Sequence, residues 1–184
     1  MIYFDTRFLK IGDILHVRTN TLFGKAIRAC LGSFGNHDAL IVSDGKDDWS
    51  VVEAVPGEGV KITSLVEYEM KMLTEKAKVS VYRVPNATDE QRVRVRSWAL
   101  AHFDAGYGYD WKAIFGILFR TNKSGSEWKW YCTELVRDAW QAGGVDVWKK
   151  EFPTPRTTEK RALEGKLDVI PEVYCSPMRR ASDW

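Results

Sequence analysis

Little in this chain of 184 residues is available for metal or disulfide chemistry, since it carries only three cysteines and three histidines. Cys30, Cys132 and Cys175 form no Cys-x-x-Cys and leave an odd one over, which argues against a disulfide framework and a thiolate zinc site. His16, His37 and His102 show no His-Glu-x-x-His spacing, so no metal site is expected and nothing calls for a cofactor. An excess of one charge is missing too. The 27 Lys and Arg against 25 Asp and Glu leave a net charge of +2, without the basic stripe of a nucleic-acid binder. The longest apolar run, Ala113 to Phe119 with Gly116 inside it, is far short of the ~20 residues of a membrane helix. The opening MIYFDTRFLKIGD lacks an apolar signal core and a small-residue cleavage site. A soluble protein without a Sec-type signal is expected. Gly-rich phosphate loops and Ser-centred elbows are also absent.

What is present is an ordinary globular composition, 45% hydrophobic and 28% charged, with no repeat, low-complexity tract or linker. One domain over residues 1–184 is expected, with a core from about 12 to 144 and an arm from 145 to 184. GDILHVR (Gly12–Arg18) reads as a strand in which His16 alternates with Ile14 and Arg18 and faces solvent. Thr19-Asn20-Thr21 offers caps for a short helix ending near Gly32, with Cys30 buried on it. HDALIVS and WSVVEAV flank a Gly-containing turn and predict an antiparallel hairpin. Gly57 to Ile62 continues the sheet, Ser64 caps a short helix, and Lys78–Val84 is a further strand.

The second half reads as helical. Thr88 and Gln91 fit a capping box for a helix reaching about Phe103, and Asp110 is placed to cap WKAIFGILF. CTELVRDAWQAGG predicts a helix stopped by Gly143-Gly144. His102 falls on the first of these helices, satisfied against the core. The Pro-containing remainder reads as an irregular surface arm. The fold class is α+β, an antiparallel sheet with helices packed on one side.

Two features carry chemistry. Cys132 stands in the first turn of a predicted helix, where unpaired N–H groups and the positive dipole end favour a thiolate and can receive an oxyanion. The alternative is a small hydrophobe on the buried face, three residues before Leu135. His37 and Glu53 lie on adjacent strands of the hairpin. A turn about Gly45 sets them directly opposite, with Cβ atoms ~5 Å apart. A register two residues longer makes them diagonal neighbours on the same face, whereas a one-residue slip puts Ala54 opposite His37 instead. A carboxylate beside an imidazole fixes its tautomer and raises its basicity; the same pair can also be a plain surface contact.

In their order GDILHVR, NHDALIV, VVEAVPGEGV, YGYDW and YCTELV, these segments resemble the circularly permuted, YiiX-like branch of the NlpC-type papain-like cysteine peptidases. There, as here, the histidine strand precedes the cysteine helix. The resemblance covers about Gly12 to Gly144. It implies Cys132 as nucleophile, His37 as general base, Glu53 as its orienting partner, and Tyr109 as the tyrosine beside the nucleophile that helps hold the substrate carbonyl. Trp111, Trp128, Trp130 and Tyr131 are expected as groove walls, although at least half of them are also natural core residues. Two positions depart from the family pattern: Thr133 replaces a serine, and Asp38 stands where a small or apolar residue is commoner.

The resemblance implies a cysteine amidase or endopeptidase acting on a peptide or amide substrate, with peptidoglycan stem peptides as the suggested class. Without a Sec-type signal, the protein is either cytoplasmic or, for a wall substrate, delivered by a phage particle or a specialised secretion system. Lipid acyl transfer or (thio)ester hydrolysis, as in the related lecithin retinol acyltransferase group, is the second reading. A non-catalytic binding module is the third.

Overall fold

The computed structural model describes residues 4–43, 49–118, 129–149 and 151–171. Six strands form one antiparallel sheet: β1 (Ile14–Arg18), β2 (His37–Ser43), β3 (Trp49–Val55), β4 (Gly59–Ser64), β5 (Lys78–Arg83) and β8 (Asp168–Val169), in the order β4-β3-β2-β1-β5-β8. A small parallel pair, β6 (Gly108–Tyr109) and β7 (Lys129–Trp130), lies beside the β4 edge, where the Val60 N–H donates to the Tyr107 carbonyl at 2.9 Å.

Alternation along the strands sorts the core into two layers. Ile14, Leu40, Val42, Val52 and Ala54 face α3 (Asp89–Asp104) and α5 (Cys132–Ala142), whose Val95, Ala99, Leu135, Val136 and Trp140 complete that core. Leu15, Val17, Ala39, Ile41 and Val51 face the other way, onto Leu65, Tyr68 and Met72 of α2 (Leu65–Thr74) and onto Phe4 and Leu9. The main helical layer therefore covers one side, and α2 with the amino-terminal segment closes the second. Burial on both faces makes β1 and β2 nearly continuous buried strands.

The predicted caps form. Thr21 opens α1 (Leu22–Leu31), and Gly32 closes it in the left-handed region at φ 61°. Ser64 accepts from the Glu67 N–H, and Thr88 and Gln91 bond reciprocally at the start of α3. Asp110 accepts from the Ala113 N–H at 2.9 Å at the head of α4 (Trp111–Leu118). Gly12, at φ +85°, leads into β1 beneath Trp140; a Cβ there would lie 2.7 Å from the indole.

Three local expectations are corrected. Cys30 is exposed, because the buried face of α1 is limited to Gly24 and Ile27. His16 is fully buried, because the face that alternation assigned to solvent is covered and offers it two carboxylates. The stretch after Gly144 is no loose arm in its described part. Pro155 occupies the first turn of α6 (Pro155–Leu163), where a missing N–H costs nothing, and Thr154 and Thr157 form a capping box before it. Trp148, Thr158, Glu159 and Arg161 of this region are buried.

Candidate active site

At one end of the sheet, where β1 finishes, β2 begins and β3 ends, a cavity of about 190 Å³ opens between α2 and the head of α5. Cys132, His37, Glu53 and Tyr109 all line it.

Each is delivered by its element. The hairpin adopts the register Leu40↔Val52 and Ser43↔Trp49, which, continued to the strand end, makes His37 and Glu53 diagonal neighbours on one face. The diagonal is short: His37 Nε2 meets Glu53 Oε2 at 2.7 Å, and with Nε2 engaged, Nδ1 is the ring nitrogen left for Cys132. Burial disfavours the imidazolium, but hydrogen bonding and charge from Cys132 and Glu53 outweigh it and raise the His37 pKa to about 10. Glu53 is fully buried; burial favours its neutral form, yet His37, Lys71 and Lys61 hold it below the usual carboxylate range. Thr63 Oγ1 donates to its second oxygen at 3.4 Å, and Lys71 Nζ stands 3.8 Å from that oxygen. The carboxylate is thus fixed in place and kept charged.

Cys132 is the first residue of α5, after an N-cap, Tyr131, that supplies no side-chain hydrogen bond. The N–H groups of this first turn are not capped by a side chain there, which leaves them for an incoming oxygen. Tyr109, on β6, is buried and lines the same cavity as Cys132; burial together with Cys132 and Asp110 pushes its pKa up, so the phenol stays a donor.

The model of the permuted papain-like amidase family, YaeF/YiiX type (C92), matches residues 9–178. The chain belongs to this family. Among solved structures, yiiX from Escherichia coli O157:H7, titled a metalloprotein, is similar with a TM-score of 0.57 and 23% identity over 89% of this chain and 90% of that one. That likeness establishes a shared fold. No curated protein matches the chain. Among the described residues of this amidase-family chain, no group of three or more His, Cys, Asp and Glu side chains is placed to hold a metal ion. No helix among them is long and apolar enough to cross a membrane.

The aromatic residues expected as groove walls divide. Trp111 is partly exposed and packs edge-on against Tyr109 (5.2 Å) and near Phe23 (6.1 Å), both of which line the cavity. Trp130 is buried instead, edge-on to Trp98 and His102, with its Nε1–H donated to Asp138 at 2.9 Å. Tyr131 is also buried, stacked on Phe152, its hydroxyl donating to the Pro153 carbonyl. Neither lines the cavity: the two residues before α5 alternate into the core that holds the helix, not into the groove. Trp128 and Cys175 lie outside the described residues. His102 is satisfied as expected, through Trp98.

Several residues at the site escaped the sequence reading. Tyr68, Lys71 and Met72 of α2 line the cavity wall; their i, i+3, i+4 spacing marks one face of that helix but not what it faces. Behind the site, Asp38 joins His16, Thr133, Thr158 and Glu159 in a buried polar cluster. The only signal for it was the unusual Asp38 itself.

Proposed function

We propose that this chain is a cysteine amidase or peptidase that works through Cys132, His37 and Glu53. The observation carrying this reading is that these three side chains, from α5, β2 and β3, line a single cavity while a buried carboxylate orients the imidazole at 2.7 Å. The complete set of cysteine, histidine and glutamate argues against an idle domain, which has no physical need for all three at one cavity.

The chemistry follows from the geometry. His37 takes the Cys132 proton, and the resulting imidazolium is stabilised by Glu53. The thiolate adds to the substrate carbonyl; the oxyanion is received by the N–H groups of the first turn of α5 and by the Tyr109 hydroxyl. Collapse returns the His37 proton to the leaving amine and leaves a thioester on Cys132. Water, deprotonated by His37, then releases the acid and restores the thiol.

The substrate class proposed is a peptide or amide, with cell-wall stem peptides as the first group to test. A second reading, transfer or hydrolysis of an acyl ester or thioester, draws support from the apolar part of the lining, namely Val17, Phe23, Ile27, Val55 and Met72. Peptide-amide and acyl-ester substrates assayed side by side, with Cys132→Ala as blank, separate the two. Ligand binding that survives Cys132→Ala, with no turnover by the wild type, would replace both with a binding module.

Activation itself has a substrate-free test. Cys30 is exposed and Cys132 buried at the cavity wall, so simple access favours Cys30. Iodoacetamide should nevertheless label Cys132 faster below pH 8, and equal or inverted rates would refute the nucleophile.

A further inference from the structure

His37 and Cys132 each have a chain neighbour that points away from the cavity, and those two neighbours are bonded to each other. Successive residues of a strand face opposite sides, so Asp38 projects from β2 toward the α5 side of the sheet, where it is fully buried. Thr133 follows Cys132 on α5 and is fully buried as well. Its Oγ1 donates to Asp38 Oδ2 at 2.7 Å. One hydrogen bond therefore connects the backbone beside the base to the backbone beside the nucleophile.

Asp38 does not hold this position alone. His16 Nδ1 binds its Oδ1 at 2.6 Å, and Thr158 Oγ1, from α6, donates to its Oδ2 at 2.9 Å. His16 Nε2 is met by Glu159 Oε1 at 3.0 Å, and that oxygen also accepts the Gly35 N–H at 2.8 Å. Arg156 reaches the other Glu159 oxygen at 3.4 Å. Both imidazole nitrogens of His16 thus face carboxylates, so both donate and the ring is cationic. His16 carries the charge that balances Asp38 in the buried part of the set, and the exposed Arg156 meets Glu159 at its outer edge. Gly35 lies so close to the ring that a Cβ would fall 2.2 Å from His16 Nε2. Two residues further along the chain is His37.

We propose that Asp38, Thr133, His16 and Glu159 form a brace behind the active site that sets the Cys132–His37 separation, with the C-terminal helix α6 as its outer anchor. They are positioning residues, acting through their chain neighbours and touching no substrate. The proposal rests on the cysteine-hydrolase reading above. Precision matters here because a displacement of ~1 Å between reacting groups can reduce rates ~100-fold.

The test compares the pH profile of Cys132 alkylation by iodoacetamide in the full chain for wild type, Thr133→Ser, Thr133→Val and Glu159→Gln, each checked for a cooperative melt. The titratable groups around the reacting pair are Glu53, Lys71, Glu75, Tyr68 and Tyr109 on the cavity side, and Asp38, His16, Glu159 and Arg156 behind it. Thr133→Ser should keep the wild-type profile. Thr133→Val, equal in shape but without the donor, should lose about tenfold or more in rate at pH 6 while still melting cooperatively. Glu159→Gln should lose several-fold. A Thr133→Val profile that matches the wild type overturns the brace, as does a serine variant as slow as the valine one. If Thr133→Val does not fold, a wild-type profile for Glu159→Gln overturns it. A wild type with no preferential Cys132 labelling would instead refute the hydrolase reading, and the brace with it.

Discussion

Glu53→Gln isolates the orienting carboxylate with almost no change of shape. Glu53 is fully buried, and its Oε2 receives the His37 Nε2–H at 2.7 Å. The amide oxygen of glutamine can accept the same hydrogen bond, so the ring should stay in place while the charge behind it disappears. A hydrogen bond to a charged group contributes about 1.5–3 kcal/mol and a neutral one about 0.5–1.5. The substitution should therefore cost the imidazolium on the order of 1.4 kcal/mol, which is about tenfold in the population of the thiolate–imidazolium pair. His37 titrates near pH 10 in the wild type, held there by Cys132 and Glu53 against the opposing effect of burial. At a fixed pH near neutrality the alkylation rate of Cys132 should therefore fall about tenfold. The assay is the rate of Cys132 alkylation by iodoacetamide from pH 5 to 10, read by mass spectrometry of the Cys132 peptide. Turnover, once a substrate is found, should fall about as far, whereas Cys132→Ala should abolish it. An alkylation profile identical to that of the wild type would refute the orienting role. A turnover loss as complete as that of Cys132→Ala would do so from the other side, by making Glu53 more than an orienting group.

Other perturbations probe the surroundings. Gly35→Ala should destabilise the protein by about 1–3 kcal/mol in a denaturant titration, since the added carbon collides with a His16 ring fixed from both sides; no loss would mean the ring can yield. Burial, only partly offset by Arg137, raises the Glu134 pKa to about 7. Its ionisation penalty should set in between pH 4.5 and 7, so Glu134→Gln should melt higher than the wild type at pH 8 but not at pH 4, and equal melting at both would contradict the assignment. His16 and His37 are raised above 6.5, to about 9 and about 10, by carboxylate partners and, for His37, by Cys132, despite burial. Their contribution to stability is complete below pH 6.5 and is lost as pH rises from there through the folded values, so the melting temperature should fall between about pH 6.5 and 10. Asp38, Glu53 and Glu159 are lowered by their histidine partners against burial. Their contribution is present above pH ~4.5 and is lost as acid protonates them, which a melt series toward pH 2 should record.

Local sequence signals carried the fold a long way, and the places where they stopped share a cause. The caps at Thr21, Ser64, Thr88 and Asp110 were legible because a cap is decided by residues three or four apart. The hairpin was legible from alternation, but alternation by itself left the register open between direct pairing of His37 and Glu53, diagonal pairing, and a one-residue slip that sets Ala54 opposite His37; the observed register makes the pair diagonal. His16 was misread because alternation says which side chains share a face, not whether that face meets water. The C-terminal helix lies in a stretch whose several prolines read as an irregular arm, whereas Pro155 at the first turn is compatible with a helix.

The amino-acid sequence by itself determined most of the elements, the order of histidine strand before cysteine helix, and the chemistry available: one cysteine at a helix head, and a histidine and a glutamate on adjacent strands of one hairpin. Those depend on neighbours along the chain. Only the tertiary structure decided that Trp130 and Tyr131 pack the core while α2 walls the cavity, and that His16, Asp38, Thr133 and Glu159 meet behind it. Glu159 lies 143 residues from His16. A contact across that separation is selected by how the layers close on the sheet, and no spacing rule within a strand or helix encodes it.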